Sequence, residues 1–265
     1  MLLLDSGNFS DNPTSAGDLK TKGLLQAMDR LGYQVINVGE RDIRMGYPEF
    51  VRRTADTPFS YISANIVDRK SKEPIFPPHA IVDAVSPDGT TKLRVGVVGV
   101  IRFNPVFLKA GPDGGNIVID HPLERVREQL AVLKKKKVDV VVLLAALHKN
   151  DAMTLARELP EIDFVLGSYG GLVTAQEETA GEATVLYCGN RGQRVGETRV
   201  FLGKGKGREI VERTNKLHLL TRHYPPDHEM LEFVNSLPRE ASHGAAPASS
   251  SATVPSSNGT ARGGS

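Results

Sequence analysis

Apolar residues along this chain follow two rhythms. Some form unbroken runs, and others recur every three or four residues. The longest unbroken run is Val138 to Leu147, interrupted only by Asp139. A run that is apolar on both alternations reads as a strand buried on both faces. It stops at His148, with Lys149, Asn150 and Asp151 behind it. Asn150 or Asp151 is the expected cap of a helix that buries Met153, Leu155, Ala156 and Leu159, and Pro160 ends that helix. Ile162 to Leu166 reads as a second buried strand, running into Gly167-Ser168-Tyr169-Gly170-Gly171. Strand, loop, helix, strand, loop puts both loops at the carboxyl ends of neighbouring parallel strands, where α/β folds place ligands.

The rest of the chain extends the same alternation. Leu2 to Leu4 read as the end of a buried strand, and Asp5 to Asn8 as its exit loop. Leu24, Met28 and Leu31 fall at i, i+4 and i+7 of a helix, with Gly32 where a C-terminal glycine cap belongs. Gln34 to Val38 is a short strand that exits into Gly39-Glu40-Arg41-Asp42. An amphipathic patch around Phe50, Val51 and Arg52 precedes a strand from Tyr61 to Ile66. Prolines, Ser86-Pro87-Asp88-Gly89 and the alternation in Ala80 to Val85 predict antiparallel hairpin strands. Leu93 to Val100 is a buried strand. Asn116 to Ile119 precedes Asp120, the expected cap of a helix that buries Val126, Leu130 and Leu133. Thr184 to Tyr187, Arg194 to Leu202 and Glu209 to Leu219 alternate as a terminal meander. Asp227 caps a last helix around Leu231 and Val234. From His243 to Ser265 the residues are mostly Ala, Ser, Gly, Pro and Thr, and the expectation is a disordered tail.

Composition narrows the function. A chain of 265 residues affords one domain with a sizeable core. The net charge of +2 makes no case for nucleic acid or a membrane surface as partner. The basic run Lys134 to Lys137 ends a helix and complements its dipole. The one cysteine, Cys188, excludes an internal disulfide and a Cys-based metal cluster. No apolar stretch approaches the length of a membrane span, and no signal peptide is visible.

Several local strings, taken in order, resemble the N-terminal domain of bacterial 5'-nucleotidases and UDP-sugar hydrolases, within the calcineurin-like metallophosphoesterases. Leu2 to Asn8 is similar to that family's LLLDAGD segment. Gly32 to Gly46, GYQVINVGERDIRMG, is similar to GYDAVTLGNHEFDYG. Val138 to His148 resembles the strand that ends in a family histidine, Asp163 to Gly171 the D-x-x-x-GGHSH segment, and Cys188 to Leu202 the closing strand. The resemblance runs from about residue 2 to 237. It implies an α/β fold, a four-layer α-β-β-α sandwich, with residues 1–242 as one domain and 243–265 as the tail.

The family's chemistry uses two divalent metals about 4 Å apart, which clamp a phosphate and activate water. The motifs depart from that pattern. Asn8 matches the bridging aspartate, keeping an oxygen but losing the charge. Glu40 matches an asparagine ligand, and Arg41 the catalytic histidine. Gly167 to Gly171 lacks both histidines of GGHSH, and Tyr169 stands among them. Only His148 is unchanged. By this resemblance Asn8, Glu40 and His148 are candidate metal ligands for one weak divalent ion at most. Arg41 is the candidate catalytic group, and Arg41 with Tyr169 would bind a small phosphorylated molecule. The residues also admit bland readings: His148 a polar strand end, Asn8 a turn residue, Glu40, Arg41 and Asp42 a surface ion-pair group, Tyr169 a packed ring. The expectations are therefore a 5'-nucleotidase-like phosphoesterase with a degenerate metal site, weak or inactive; an active phosphate-ester (nucleotide) hydrolase with an atypical metal site; or a non-catalytic binding or structural relative that keeps the scaffold. The family's D-x-H motif would lie upstream of Met1, which makes the start read as truncated and the domain as extracytoplasmic.

Overall fold

The computed structural model describes residues 1–12, 14–103, 117–174, 176–203 and 210–238. The expected tail at 243–265 lies outside the described residues, as do Asn116 and Glu209. The chain opens with β1 (Leu4–Asp5), α1 (Ser15–Leu31), β2 (Val35–Asn37), α2 (Glu40–Ile43), α3 (Tyr47–Thr54) and β3 (Ser60–Ile62). Strands β1, β2 and β3 form one parallel sheet in that order. β4 (Ile66–Asp68) pairs antiparallel with β7 (Ile117–Ile119).

The larger sheet holds β5 (His79–Val85), β6 (Lys92–Ile101), β8 (Val140–Ala146), β9 (Phe164–Gly167), β10 (Glu178–Ala180) and β11 (Ala183–Tyr187). Its order is β10-β11-β9-β8-β6-β5, parallel through β6, β8, β9 and β11, with antiparallel edges. Helices α4 (Pro122–Lys135) and α5 (Lys149–Glu158) connect its parallel strands. β12 (Arg194–Leu202) and β13 (Ile210–Leu219) make a hairpin, and α6 (His228–Ser236) closes the described chain.

Alternation along the strands assigns the layers. Val95, Val97, Val140, Val142 and Leu144 pack with Val35 and Ile62 between the two sheets. The neighbours of opposite parity, Val98, Val100, Val141, Leu143 and Ala145, face Val126, Leu130 and Leu133 of α4 and Leu155 of α5. On the far side, Leu25 and Met28 of α1 cover Ile36 and Phe59. Helix, sheet, sheet, helix is the four-layer sandwich expected. The fully buried run of β8 follows from it, because that strand has a packed layer on each face.

Local readings needed correction where long-range bonds intervened. Tyr61 to Ile66 is two strands in different sheets. Buried Asn65 donates to the carbonyls of Ile101 (2.7 Å) and Asp120 (3.0 Å) and accepts from the Ile101 N–H (2.9 Å), which draws the chain away from β3. α1 buries Gly17, Thr21, Leu25 and Met28, while Leu24 and Leu31 are 43% and 53% exposed. Gly17 decides that face: a Cβ there would sit 1.9 Å from the Asn12 carbonyl oxygen. Asp120 does not cap α4; His121 holds the cap position, and the Asp120 carboxylate is taken by Arg125 at 2.6 Å. α5 begins at Lys149 behind His148, so Asn150 and Asp151 lie inside its first turn rather than capping it. The first strand is Leu4–Asp5, one step later than the apolar run suggests. Leu231 and Val234 of α6 are 43% and 44% exposed; that helix is held instead by Phe233 under the Arg30 guanidinium, 4.0 Å from its centroid.

Candidate functional site at the strand exits

The exits of β1, β2, β6, β8 and β9 meet on one side of the sandwich. Buried Asn37, at the end of β2, donates to the carbonyls of Ser6 (3.1 Å) and Val100 (3.0 Å) and so stitches the two sheets together. Ser6 Oγ donates to the Leu166 carbonyl (2.8 Å), and Ser168 Oγ donates back to the Ser6 carbonyl (2.7 Å). Gly7 adopts φ 91°, and a Cβ there would lie 2.6 Å from the Asn37 carbonyl oxygen. Only glycine lets the β1 loop lie this close to β2.

The first half of the mouth is built around Asp42. Its buried carboxylate accepts N–H bonds from Asn8 (2.7 Å), Gly39 (2.8 Å) and Ser10 (2.8 Å). Burial pushes this carboxyl up to about 6, although the three backbone donors oppose the shift. Asp5 is likewise pushed up to about 6 by burial, opposed by the Gly7 N–H and reinforced by the Asp42 charge. Asn8 sits at φ 69°, in the left-handed region that asparagine tolerates. Its Oδ1 accepts the Arg41 N–H at 3.0 Å, satisfying an otherwise free amide of α2's first turn. Glu40 accepts from Arg102 Nε at 3.2 Å. The Arg41 side chain is 54% exposed, and its Nη2 lies 3.8 Å from Asp11 Oδ1.

The second half is made of rings and a cation. The Tyr169 ring lies 3.8 Å from the His148 imidazole, centroid to centroid, at 54°. On its other contact, the Arg102 guanidinium lies over Tyr169 at 5.4 Å. Glu40, Arg102, Tyr169 and His148 therefore form one continuous chain of contacts across the mouth. Gly170 and Gly171, at φ 58° and 73°, turn the loop beyond Tyr169, and Asn190 of the β11 exit lies against Gly171.

The structure thus brings together Glu40, Tyr169 and His148 from the expected set, and sets Asn8 and Arg41 beside them through the Asn8–Arg41 bond. Among the described residues no three His, Cys, Asp or Glu side chains converge as a metal cluster would require. Two residues that matter were missed in the sequence. Arg102 directly follows the buried run of β6, the same signal that singled out His148 after β8. Asp42 reads in the sequence as part of a surface group, and no local pattern marks it as buried.

No family model matches the chain. It is 24% identical over 186 residues to a 2',3'-cyclic-nucleotide 2'-phosphodiesterase/3'-nucleotidase of Salmonella typhimurium, covering 62% of this chain and 29% of that protein. It is 22% identical to a 5'-nucleotidase of Vibrio cholerae over 182 residues, covering 64% and 32%. The chain thus spans less than a third of the length of these curated relatives. Among solved structures, it superposes on a calcineurin-like phosphoesterase of Bacillus subtilis with a TM-score of 0.73 at 18% identity, covering 88% of this chain and 81% of that one. A Thermus thermophilus sulfate thiohydrolase bound to glycerol gives 0.75 at 19% identity, covering 89% and 42%. A 5'-nucleotidase precursor of Thermus thermophilus gives 0.70 at 22%, covering 89% and 48%.

Proposed function

From the premise that this chain has the calcineurin-like metallophosphoesterase fold and nucleotidase and cyclic-phosphodiesterase relatives, we propose that it is a 5'-nucleotidase-like domain with a degenerate metal site, weak or inactive as a phosphohydrolase. The observation that carries this reading is where the mouth's oxygen donors point. Asn8 Oδ1 is taken by the Arg41 N–H, Asp42 by three backbone amides, and Glu40 by Arg102. Asn8 Oδ1, both Asp42 oxygens and Glu40 Oε1 are thus holding protein. Two divalent ions repel one another, and a bridging carboxylate is what offsets that repulsion. Neutral Asn8 lacks that charge, and Arg41, which follows Glu40 and bonds Asn8 through its backbone N–H, brings a permanent cation to the same loops. These residues do not fit a dinuclear centre.

The same geometry supports a non-catalytic role for the mouth in holding a small phosphorylated molecule. Arg41 offers a planar fork suited to a phosphate, and Tyr169, beside Arg102 and His148, a ring at the same mouth. Metal analysis after dialysis, followed by turnover of p-nitrophenyl phosphate and 5'-AMP with added Mn²⁺, Mg²⁺ or Zn²⁺, tests the reading. At most one weakly held ion per chain and turnover well below about 1 per second are expected. Two tightly held ions, or faster turnover, would replace it with an active hydrolase of atypical ligand set.

A further inference from the structure

An open sheet edge offers unpaired N–H and C=O groups to any other strand, so proteins keep such edges short, charged, bulged or covered. The edges β1, β3 and β10 of the two main sheets are short, with two, three and three residues. β5 is the exception. It is a strand of seven residues, HAIVDAV, that pairs with β6 alone. It holds no proline, lysine or arginine, and its register with β6 runs without a bulge.

The hydrogen bonds fix which groups of β5 face outward. The Ser86 N–H donates to the Thr91 carbonyl at 2.8 Å, so the residues of its parity, Ala80, Val82 and Ala84, exchange bonds with β6. His79, Ile81, Asp83 and Val85 then turn their N–H and C=O groups away from the sheet. The Met1 amino group marks the same direction, donating to the outward Val85 carbonyl at 3.0 Å. Among the described residues no other hydrogen bond reaches the outer side of the strand. Its flank toward α3 is an open depression, so no layer covers the edge there.

The strand is complementary to itself. In an antiparallel pair of two copies centred on Ile81, His79 of each stands opposite Asp83 of the other, and Ile81 opposite Ile81. These pairs use only outward groups, and each pair exchanges two N–H···O bonds. On that face an imidazole meets a carboxylate at both ends. On the other face Ala80 meets Val82, small against large. No like charges face one another. Neighbouring registers are poorer. Centring on Val82 needs the Val85 carbonyl that Met1 holds. Centring on Asp83 sets two carboxylates face to face. Centring on Ala80 sets Asp83 against Pro77, which has no N–H and whose carbonyl is held by the Ser63 N–H.

We propose that β5 is a self-association edge: two copies of this chain pair β5 to β5, antiparallel about a twofold axis at Ile81, and join their larger sheets into one. The contact is isologous, the same strand serving both copies. It uses none of the residues assigned to the mouth and stands whatever the activity there.

Sedimentation velocity of the full chain from about 1 to 200 µM tests it. A monomer–dimer equilibrium is expected, and the Ile81 and Asp83 amides should exchange their hydrogens more slowly in the dimer than on dilution. Asp83→Pro removes an outward N–H and no bond to β6, at a position where an edge strand tolerates proline. It should keep the fold and remain monomeric. Asp83→Lys, which sets a lysine against each His79, should weaken the dimer about tenfold. Adding His79→Glu to Asp83→Lys should restore it. Circular dichroism and thermal melting establish that each variant is folded. A chain that stays monomeric up to about 200 µM overturns the proposal. So does a dimer that Asp83→Pro leaves intact, or one that the double substitution fails to restore.

Discussion

The two halves of the mouth are built by opposite means. In the loops after β1 and β2, polar side chains turn inward and hold backbone: Asp42 gathers three amides, and Asn8 a fourth. In the exits of β6, β8 and β9, Arg102, Tyr169 and His148 contact one another face to ring and leave the backbone to the sheet. Side-chain oxygens used as internal acceptors give shape at the expense of coordination. Rings and guanidinium groups in contact at the surface give a binding surface but add little to stability. Substitutions in the first half should therefore cost folding, and those in the second half should leave it nearly intact.

The largest effect is expected at the hub. Asp42→Ala removes one acceptor from three amides at once and leaves them unsatisfied, which should cost about 3–5 kcal/mol in urea unfolding. A loss below about 1 kcal/mol would mean that the two halves are not built differently.

Gly39→Ala comes next. A Cβ at Gly39 would lie 2.4 Å from Asn8 Oδ1 and 2.6 Å from Asn8 N, so the β1 loop must move. A destabilisation of about 1–3 kcal/mol is expected, with thermal melting as the measurement. Gly39 sits at φ −94°, so its cost is steric alone, whereas Gly32→Ala, at φ 81° with nothing within 4 Å, gives the cost of backbone strain alone.

Acidity sharpens the comparison in a different way. Asp5 and Asp42 have folded values near 6, above the ordinary 3.8. Between those values the folded state binds more protons than the unfolded state. Stability therefore falls as pH rises toward 6 and is regained on acidification. Unfolding at pH 5 should require more free energy than at pH 7.5, by about 1 kcal/mol per carboxyl, with Asp5→Asn removing its share. Glu49, held down to about 2 by Arg52 and then Arg53, acts in the opposite sense and only below its ordinary 4.5. A denaturation midpoint that drops from pH 7.5 to pH 5 would refute the assignment.

The second half should yield the smallest changes. Tyr169→Ala should cost about 1 kcal/mol or less, since its contacts to His148 and Arg102 lie at a partly open surface. If that variant loses more than Gly39→Ala, the ring stack is structural rather than a surface. Smallest of all, Asn8→Asp alone should leave metal content unchanged, because Glu40 and Asp42 remain engaged; a stoichiometric ion in that variant would show that charge at position 8 is the only deficit.

Fully buried strands were legible because their pattern is local: β6 and β8 carry apolar residues on both alternations, which only a strand covered on two sides sustains. The order of strands and helices and the His148 exit followed from the same runs. The lost charge at position 8 and the cation at position 41 were also visible as residue types. Position in the fold was decided elsewhere. Asn65 splits one apparent strand into two because its amide bonds to β6 and to the Asp120 carbonyl, residues far away in the chain. Asp42 is a buried hub rather than a surface charge because loops from β1 and β2 converge on it. Arg102 meets Glu40 and Tyr169 only because two sheets stack and bring separate exits together. Burial periodicity is written in neighbouring residues, whereas the partner of a polar side chain is set by whichever distant backbone the packing places within hydrogen-bond reach.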